Sequence, residues 1–164
     1  MLPGPLLLLS SCEVLEPCDV DEECNNGEMC LERVCQSTTD RLWTIEVSSA
    51  EVGANHPDGF PWDDGGGPPD LYVEFGPPTD ACITSVAPQS YDPVWFESCD
   101  FYIPDHPEFY ADLWDADGVS DELGASYGWE GTVEFTELAR TAGHDAGWID
   151  ASGTVVLWLR MWPR

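Results

Sequence analysis

Lysine is absent from this 164-residue chain, and five arginines are its only fully charged cations. Against them stand 32 aspartates and glutamates, so the formal net charge is −27. A surface this negative repels the phosphates of nucleic acids and of anionic lipid headgroups. This excludes polybasic recognition of either as the main task. Nucleic acid is therefore not an expected partner, and any bound metal is expected to be a hard cation.

Long apolar runs and the common catalytic motifs are also missing. The longest apolar runs, Leu6 to Leu9 and Val155 to Leu159, fall far short of the roughly 20 residues that cross a bilayer. The sequence has no Gly-x-Ser-x-Gly elbow and no His-Glu-x-x-His helix, and His56, His106 and His144 are isolated from one another. We therefore expect no enzyme. The alternative, an uncharacterised hydrolase, would require a concave pocket.

Hydrophobic residues make up 43% of the chain and include eight tryptophans, which suffices for one real core. Alternating apolar residues predict strands around Trp43 to Val47, Leu71 to Phe75 and Ala111 to Leu113. Residues 94–103 and 154–162 are further strands, the last of them central in a sheet. Gly- and Pro-rich turns separate these strands, which favours an all-β antiparallel sandwich. Only residues 136–141 predict a helical turn.

The N-terminus carries a leucine block followed by Leu9-Ser10-Ser11-Cys12, which resembles the bacterial lipobox. That resemblance implies a signal peptide over residues 1–11, cleavage before Cys12, a lipid on Cys12, and export to the bacterial cell envelope. An ordinary signal peptide is the alternative. Seven cysteines leave one thiol without a disulfide partner if the protein is exported to an oxidising compartment. If Cys12 is acylated, six remain for three disulfides.

Four cysteines fall within 18 residues, at positions Cys18, Cys24, Cys30 and Cys35. The segment has too few apolar residues for a core of its own, so we expect two disulfides to stabilise it. Zinc is the competitor, although its ligands usually come as pairs two to four residues apart. Of the three pairings we favour Cys18–Cys30 with Cys24–Cys35. The segment is similar to the Dickkopf N-terminal-like module of surface lipoproteins, which implies a spacer or protein-interaction role.

Residues 12–40 therefore form a predicted cysteine-rich module, with residues 36–40 as a polar link to the sandwich at 41–164. The remaining cysteines, Cys82 and Cys99, fall in the region of the third and fourth strands of that sandwich. We expect a disulfide between them, because neighbouring strands would bring them close.

Two acidic loops carry the chemistry, at residues 61–70 and 114–124. Asp115 and Asp117 point to the same side of an extended strand end, and glycines let Asp121 return towards them. Crowded carboxylates repel one another unless a cation lies among them. Ca²⁺ takes six to eight oxygen ligands in flexible geometry, whereas Mg²⁺ requires a stricter octahedron. An EF-hand is excluded because Ser120 occupies its glycine position.

These residues resemble the C2 domain, a calcium-binding Greek-key β-sandwich that often binds phospholipid. The resemblance rests on Asp64 to Val73, on Pro93-Val94-Trp95, and on Leu113 to Asp117 followed by Asp121 to Gly124. It implies one or two calcium ions held by carboxylates of Asp70, Asp115, Asp117, Asp121 and one of Asp63 and Asp64. Phe60, Trp62 and Val119 are then candidates to enter a membrane interface. The partner would be phospholipid or another envelope protein.

Overall fold

The computed structural model describes residues 16–63, 66–117, 120–142 and 146–164. Cys12, Asp64, Val119 and the predicted signal segment lie outside these residues. No helix within the described ranges is long and apolar enough to cross a bilayer. The elements are a 3₁₀ turn at Asp21–Glu23, strands β1 Glu28–Leu31, β2 Val34–Ser37, β3 Arg41–Val52, β4 Leu71–Gly76, β5 Cys82–Ile83, β6 Val94–Ile103, β7 Glu108–Asp115 and β8 Glu122–Glu130, helix α1 Gly131–Ala142, and strands β9 Ala146–Ile149 and β10 Val155–Pro163.

Eight of these strands form two four-stranded antiparallel sheets that share one core. Sheet one has the order β6-β3-β10-β9, and sheet two has the order β5-β4-β7-β8. The predicted antiparallel β-sandwich is therefore confirmed. The apolar strand β10 lies inside sheet one between β3 and β9, as its continuous hydrophobic sequence predicts.

The period-two pattern decides which side chains fill the core. Trp43, Ile45 and Val47 on β3 are completely buried, and so are Leu71, Val73 and Phe75 on β4. Their alternate neighbours point away from the core. The strands predicted from this alternation are present at the predicted positions.

Three elements were missed by the sequence pattern or placed differently. Strand β8 begins at Glu122, inside the stretch that was interpreted as loop, and its glycines and serine blur the alternation. Strand β9 was not predicted, and helix α1 begins at Gly131, five residues before the predicted turn. The carboxylate of Glu134 accepts a hydrogen bond from the Glu130 amide and caps the first turn. Phe135 then packs edge-on against Trp43 and Phe109.

The cysteine-rich segment forms the hairpin β1-β2, with disulfides Cys18–Cys30 and Cys24–Cys35. These sulfurs are therefore engaged in disulfides, which removes the zinc alternative. A third disulfide joins Cys82 and Cys99. It connects β5 to β6, which are edge strands of different sheets, whereas the sequence analysis expected neighbouring strands of one sheet.

The predicted link at residues 36–40 is built into the sandwich. Thr38 is completely buried, its hydroxyl pairs with that of Thr136, and its carbonyl accepts a hydrogen bond from the Trp43 indole at 2.8 Å. The guanidinium of Arg140 on α1 donates to the Glu28 carbonyl at 2.6 Å and reaches the Asp21 carbonyl at 3.3 Å. The module and helix α1 therefore pack together at the end of the sandwich where β3 begins.

We predict that Arg140→Met lowers the melting temperature of the oxidised protein by about 3–6 °C. The substitution keeps most of the apolar stem but leaves backbone carbonyls without their charged donor, a loss of about 1–2 kcal/mol. The matched control is Arg33→Met, because Arg33 pairs with Asp19 while its side chain is 83% exposed. Thermal unfolding followed by circular dichroism measures both. Equal melting temperatures for the two variants would contradict the docking role of Arg140.

Candidate functional site

The antiparallel pairing of β4 with β7 brings the two acidic loops together. Leu71, the first residue of β4, lies opposite Asp115, the last residue of β7. The loop that precedes β4 and the loop that follows β7 therefore leave the sandwich side by side. Asp63, Asp115 and Asp117 each offer one carboxylate oxygen, and these oxygens all lie within 4.8 Å of one another. We call these three residues the aspartate cluster.

Asp115 is the buried member of the aspartate cluster, with only 1% of the residue exposed. Its Oδ1 accepts a hydrogen bond from the Asp70 amide at 2.8 Å, whereas its Oδ2 is buried without a partner. Burial raises the pKa of this carboxyl to about 6 against the opposing effect of the Asp70 amide, and the neighbouring carboxylates of Asp117, Asp63 and Asp70 raise it further. A charged oxygen in this position requires a cation or a proton.

Backbone hydrogen bonds hold the two loops in place around this carboxylate. The Ala116 amide donates to the Asp70 carbonyl at 2.8 Å, which ties the loop after β7 to the loop before β4. The Gly66 amide donates to the Asp63 carbonyl at 2.8 Å and closes a turn around that residue. These bonds hold the main chain at Asp63, Asp70 and Ala116, next to the cluster.

The spacing of the oxygens suits calcium. Three points no more than 4.8 Å apart share a centre within about 2.8 Å of each, only slightly beyond the 2.3–2.6 Å of calcium–oxygen bonds. Magnesium, with bonds of about 2.0–2.1 Å and a strict octahedron, would need a larger contraction of the loops. The donor set, three carboxylates without nitrogen or sulfur, is also the chemistry of a hard cation.

Two of the predicted ligands lie apart from the cluster. The Oδ1 atom of Asp70 accepts a hydrogen bond from the Gln89 amide at 2.7 Å, although its charge is close enough to raise the pKa of Asp115. Asp121 accepts a hydrogen bond from the Tyr72 hydroxyl at 2.7 Å, on the outer surface of sheet two. The structure therefore brings together Asp63, Asp115 and Asp117, whereas Asp121 is hydrogen-bonded to Tyr72.

The prediction that Trp62 enters a membrane interface is wrong. Its side chain is 3% exposed, and its indole donates to the Gly53 carbonyl at 2.9 Å. The six-membered ring lies so close to Gly124 on β8 that a Cβ there would come within 2.9 Å of it. Trp62, the residue directly before Asp63, is therefore anchored to both sheets. Phe60, two residues earlier, is 71% exposed and remains at the surface.

His56 is a second anchor, which the sequence analysis interpreted as an isolated histidine. Its Nε2 lies 2.9 Å from the Leu123 carbonyl, and its Nδ1 lies 3.1 Å from the Asp58 carboxylate. Its ring packs edge-on against the Trp62 indole at 4.8 Å. His56 and Trp62 together fasten the first loop to the start of β8. The one sequence signal for this contact is Gly124, a small residue placed where a large ring must fit.

Comparisons with known proteins agree with this architecture at the level of the fold. No family model matches the sequence, and no curated protein matches it. A solved structure of extended synaptotagmin 2, comprising two C2 domains with calcium bound, covers 77% of this chain at a TM-score of 0.61 and 16% identity. A single C2 domain of plant extended synaptotagmin 1 covers 77% at a TM-score of 0.56 and 14% identity.

A structure of human GIVD cytosolic phospholipase A2 covers 78% of the chain at a TM-score of 0.57 and 18% identity. The present chain spans only 17% of that enzyme and 46% of the extended synaptotagmin 2 structure, but 95% of the plant domain. At identities below one in five these likenesses concern the fold alone. The chain is thus similar to C2 domains, and its nearly all-β sandwich has the C2-like architecture that the sequence motifs predict.

Proposed function

We propose that this protein is an exported, lipid-anchored calcium-binding module that acts as an interaction domain at the bacterial cell envelope. The observation that carries the calcium proposal is the buried Oδ2 of Asp115, which has no partner and lies among the carboxylates of Asp63 and Asp117. When bound, calcium would supply positive charge to these oxygens and connect the two loops. One structural neighbour, extended synaptotagmin 2, was solved with calcium bound, which is consistent with this assignment.

The chain's own residues set the expected strength of the site. Asp115 is held by the sheet and by the Asp70 amide, whereas Asp63 and Asp117 lie on loops. Sites built on loops with few carboxylates bind in the range of extracellular modules, about 10⁻⁴ to 10⁻³ M. Such a site is filled outside the cytosol and largely empty inside it. The expected consequence is a calcium-dependent stiffening of the loop end of the sandwich.

The proposal of export rests on the disulfides and on the N-terminal motif. All six cysteines among the described residues are paired, which fits an oxidising compartment. The lipobox-like sequence before Cys12 supplies the proposed lipid attachment, and Cys12 is the one cysteine outside these pairs. Metabolic labelling with a tritiated fatty acid, compared between the wild-type chain and Cys12→Ser, tests this part of the proposal.

We predict that Asp117→Asn weakens calcium binding at least tenfold, because it removes one of three carboxylate ligands. The matched control is Asp112→Asn on β7, the strand that leads into the second loop. Asp112 faces outward and accepts a hydrogen bond from Ser126, so its loss changes the net charge equally without removing a ligand. Isothermal titration calorimetry with calcium measures both variants. Equal weakening by the two substitutions would show diffuse counter-ion binding and contradict a defined site.

We also predict that Asp115→Asn raises the melting temperature in EDTA at pH 7 by about 3–6 °C and abolishes the additional rise caused by calcium. The folded-state pKa of about 6 lies above the unfolded value of about 4, so ionised Asp115 destabilises the calcium-free fold. The penalty is absent below about pH 4 and complete above about pH 6, where two pKa units correspond to roughly 2.7 kcal/mol. Because the asparagine amide is itself buried, the substitution recovers only roughly 1–2 kcal/mol of this.

Differential scanning calorimetry at pH 4 and pH 7 tests the sign of this effect. The variant should gain stability only at the higher pH. A variant that is less stable than wild type in EDTA at both pH values would show that Asp115 needs no compensating charge.

A second candidate, calcium-dependent binding of a phospholipid surface, is favoured by the exposed ring of Phe60 in the loop that carries Asp63. Calcium would bridge loop carboxylates to a phosphate while the ring enters the interface. Sedimentation with phosphatidylserine vesicles, using the Cys12→Ser chain, distinguishes this from the first proposal. Binding that requires calcium and is lost in Phe60→Ser supports the second candidate. Calcium binding by calorimetry without vesicle binding supports the interaction module.

A further inference from the structure

The outer face of sheet one carries half of the exposed large hydrophobic side chains among the described residues. Six of the twelve exposed large hydrophobic side chains lie there, between 38% and 66% exposed. They come from all four strands of the sheet, and the strand registers place them on the same side. These six residues are Leu42, Val94, Phe96, Tyr102, Ile149 and Trp162. Leu42, Tyr102 and Trp162 lie near one end of the face and Val94, Phe96 and Ile149 towards the other, with polar residues between them. Exposed apolar area combined with polar residues in this way is typical of an interaction surface.

Two carboxylates on this face are paired with arginines. Arg160 lies 3.6 Å from the Glu46 carboxylate, and its guanidinium also lies over the Phe96 ring. Arg164 lies 3.0 Å from the Asp100 carboxylate. Glu51 is the remaining carboxylate that the register places on this side of β3. The face therefore carries both signs in nearly equal amounts.

The opposite face, on sheet two, has no such compensation. The four strands of sheet two contain six aspartates and glutamates and no lysine or arginine. Glu74 and Asp112 lie directly across from each other on β4 and β7, held by hydroxyl groups of Tyr110 and Ser126 rather than by cations. Two molecules with a net charge of −27 therefore repel each other least when their sheet-one faces meet.

We propose that the outer face of sheet one is a homodimer interface, in which a second copy of this chain packs face to face about a two-fold axis. Such an isologous contact uses the same surface on both molecules. Aromatic side chains and arginine, which this face combines, are the residues enriched in protein interfaces. The ion pairs of Glu46 and Asp100 within each face would meet ion pairs of the partner, whereas Glu51 must keep contact with solvent at the rim of the interface. The proposal is independent of calcium.

The dimensions of the face indicate a weak, reversible dimer. Strands of about nine residues extend roughly 30 Å, and four of them span about 15–19 Å across the sheet. The projected area is about 500 Å² on each molecule, or roughly 1,000 Å² in total, which lies at the lower limit of specific interfaces. The apolar contact must also overcome the repulsion between two acidic molecules. Salt screens that repulsion and leaves apolar burial intact, so dimerisation should strengthen with ionic strength.

Sedimentation-equilibrium ultracentrifugation in EDTA, at about 0.05 and 0.5 M NaCl and up to millimolar protein, tests the proposal. The Cys12→Ser chain is used, since it lacks both a lipid and the thiol that could crosslink two copies. We expect a monomer–dimer equilibrium whose association constant rises at least fivefold with salt. Phe96→Glu and, separately, Tyr102→Glu should lower that constant at least tenfold, while thermal unfolding confirms that each variant folds.

The matched control is Val133→Glu, which adds the same charge at a side chain that is 54% exposed on helix α1 and is not one of the six hydrophobic residues of the face. Equal weakening by Val133→Glu, association that weakens with salt, or a monomer at every concentration would each overturn the proposal. A monomer that binds phosphatidylcholine vesicles through Phe96 would assign the face to a lipid surface instead, and would also overturn it.

Discussion

A carboxylate held inside a β-sandwich without a counter-charge is the constraint on which the acidic end of this molecule depends. Asp115 is the last residue of β7, and its neighbours on the inward face of that strand are core residues. The sheet therefore fixes its position, and the Asp70 amide satisfies only one of its two oxygens. The turn around Asp63 and the anchor at Trp62 hold the Asp63 carboxylate close to the Asp115 Oδ2 atom. They therefore add negative charge beside an oxygen that already lacks a partner.

The sequence predicted those parts of the fold in which one residue type repeats with the period of a strand. Strands β3, β4, β7 and β10 have apolar residues at alternate or continuous positions. The side chains at their inward-facing positions are almost completely buried. The proximity of the two acidic loops was also predictable, because one loop directly precedes the recognisable strand β4 and the other directly follows the recognisable strand β7. Strand β8 and helix α1 were missed or shortened because Gly, Ser and Thr within them carry little hydrophobic signal, and tertiary contacts stabilise them instead.

The candidate site shows the same limit at the level of single residues. Asp63, Asp115 and Asp117 could be identified from their order along the chain, but the diversion of Asp121 to the Tyr72 hydroxyl could not. A hydrogen bond between residues 49 positions apart depends on where two side chains emerge from a folded sheet. Trp62 was misassigned for a similar reason. A tryptophan in an acidic loop resembles an interface residue until the small Gly124 on a distant strand provides space for its ring.

The burial of Thr38 between the cysteine-rich hairpin and the sandwich has a mechanical consequence. A chain held at its N-terminus transmits any pulling force through this junction, and two disulfides prevent the hairpin from extending. The load then enters β3 along its length, where hydrogen bonds to β6 and β10 on both sides must shear together. Tension that passes the hairpin would therefore reach β3, the longest strand of the described chain, directly.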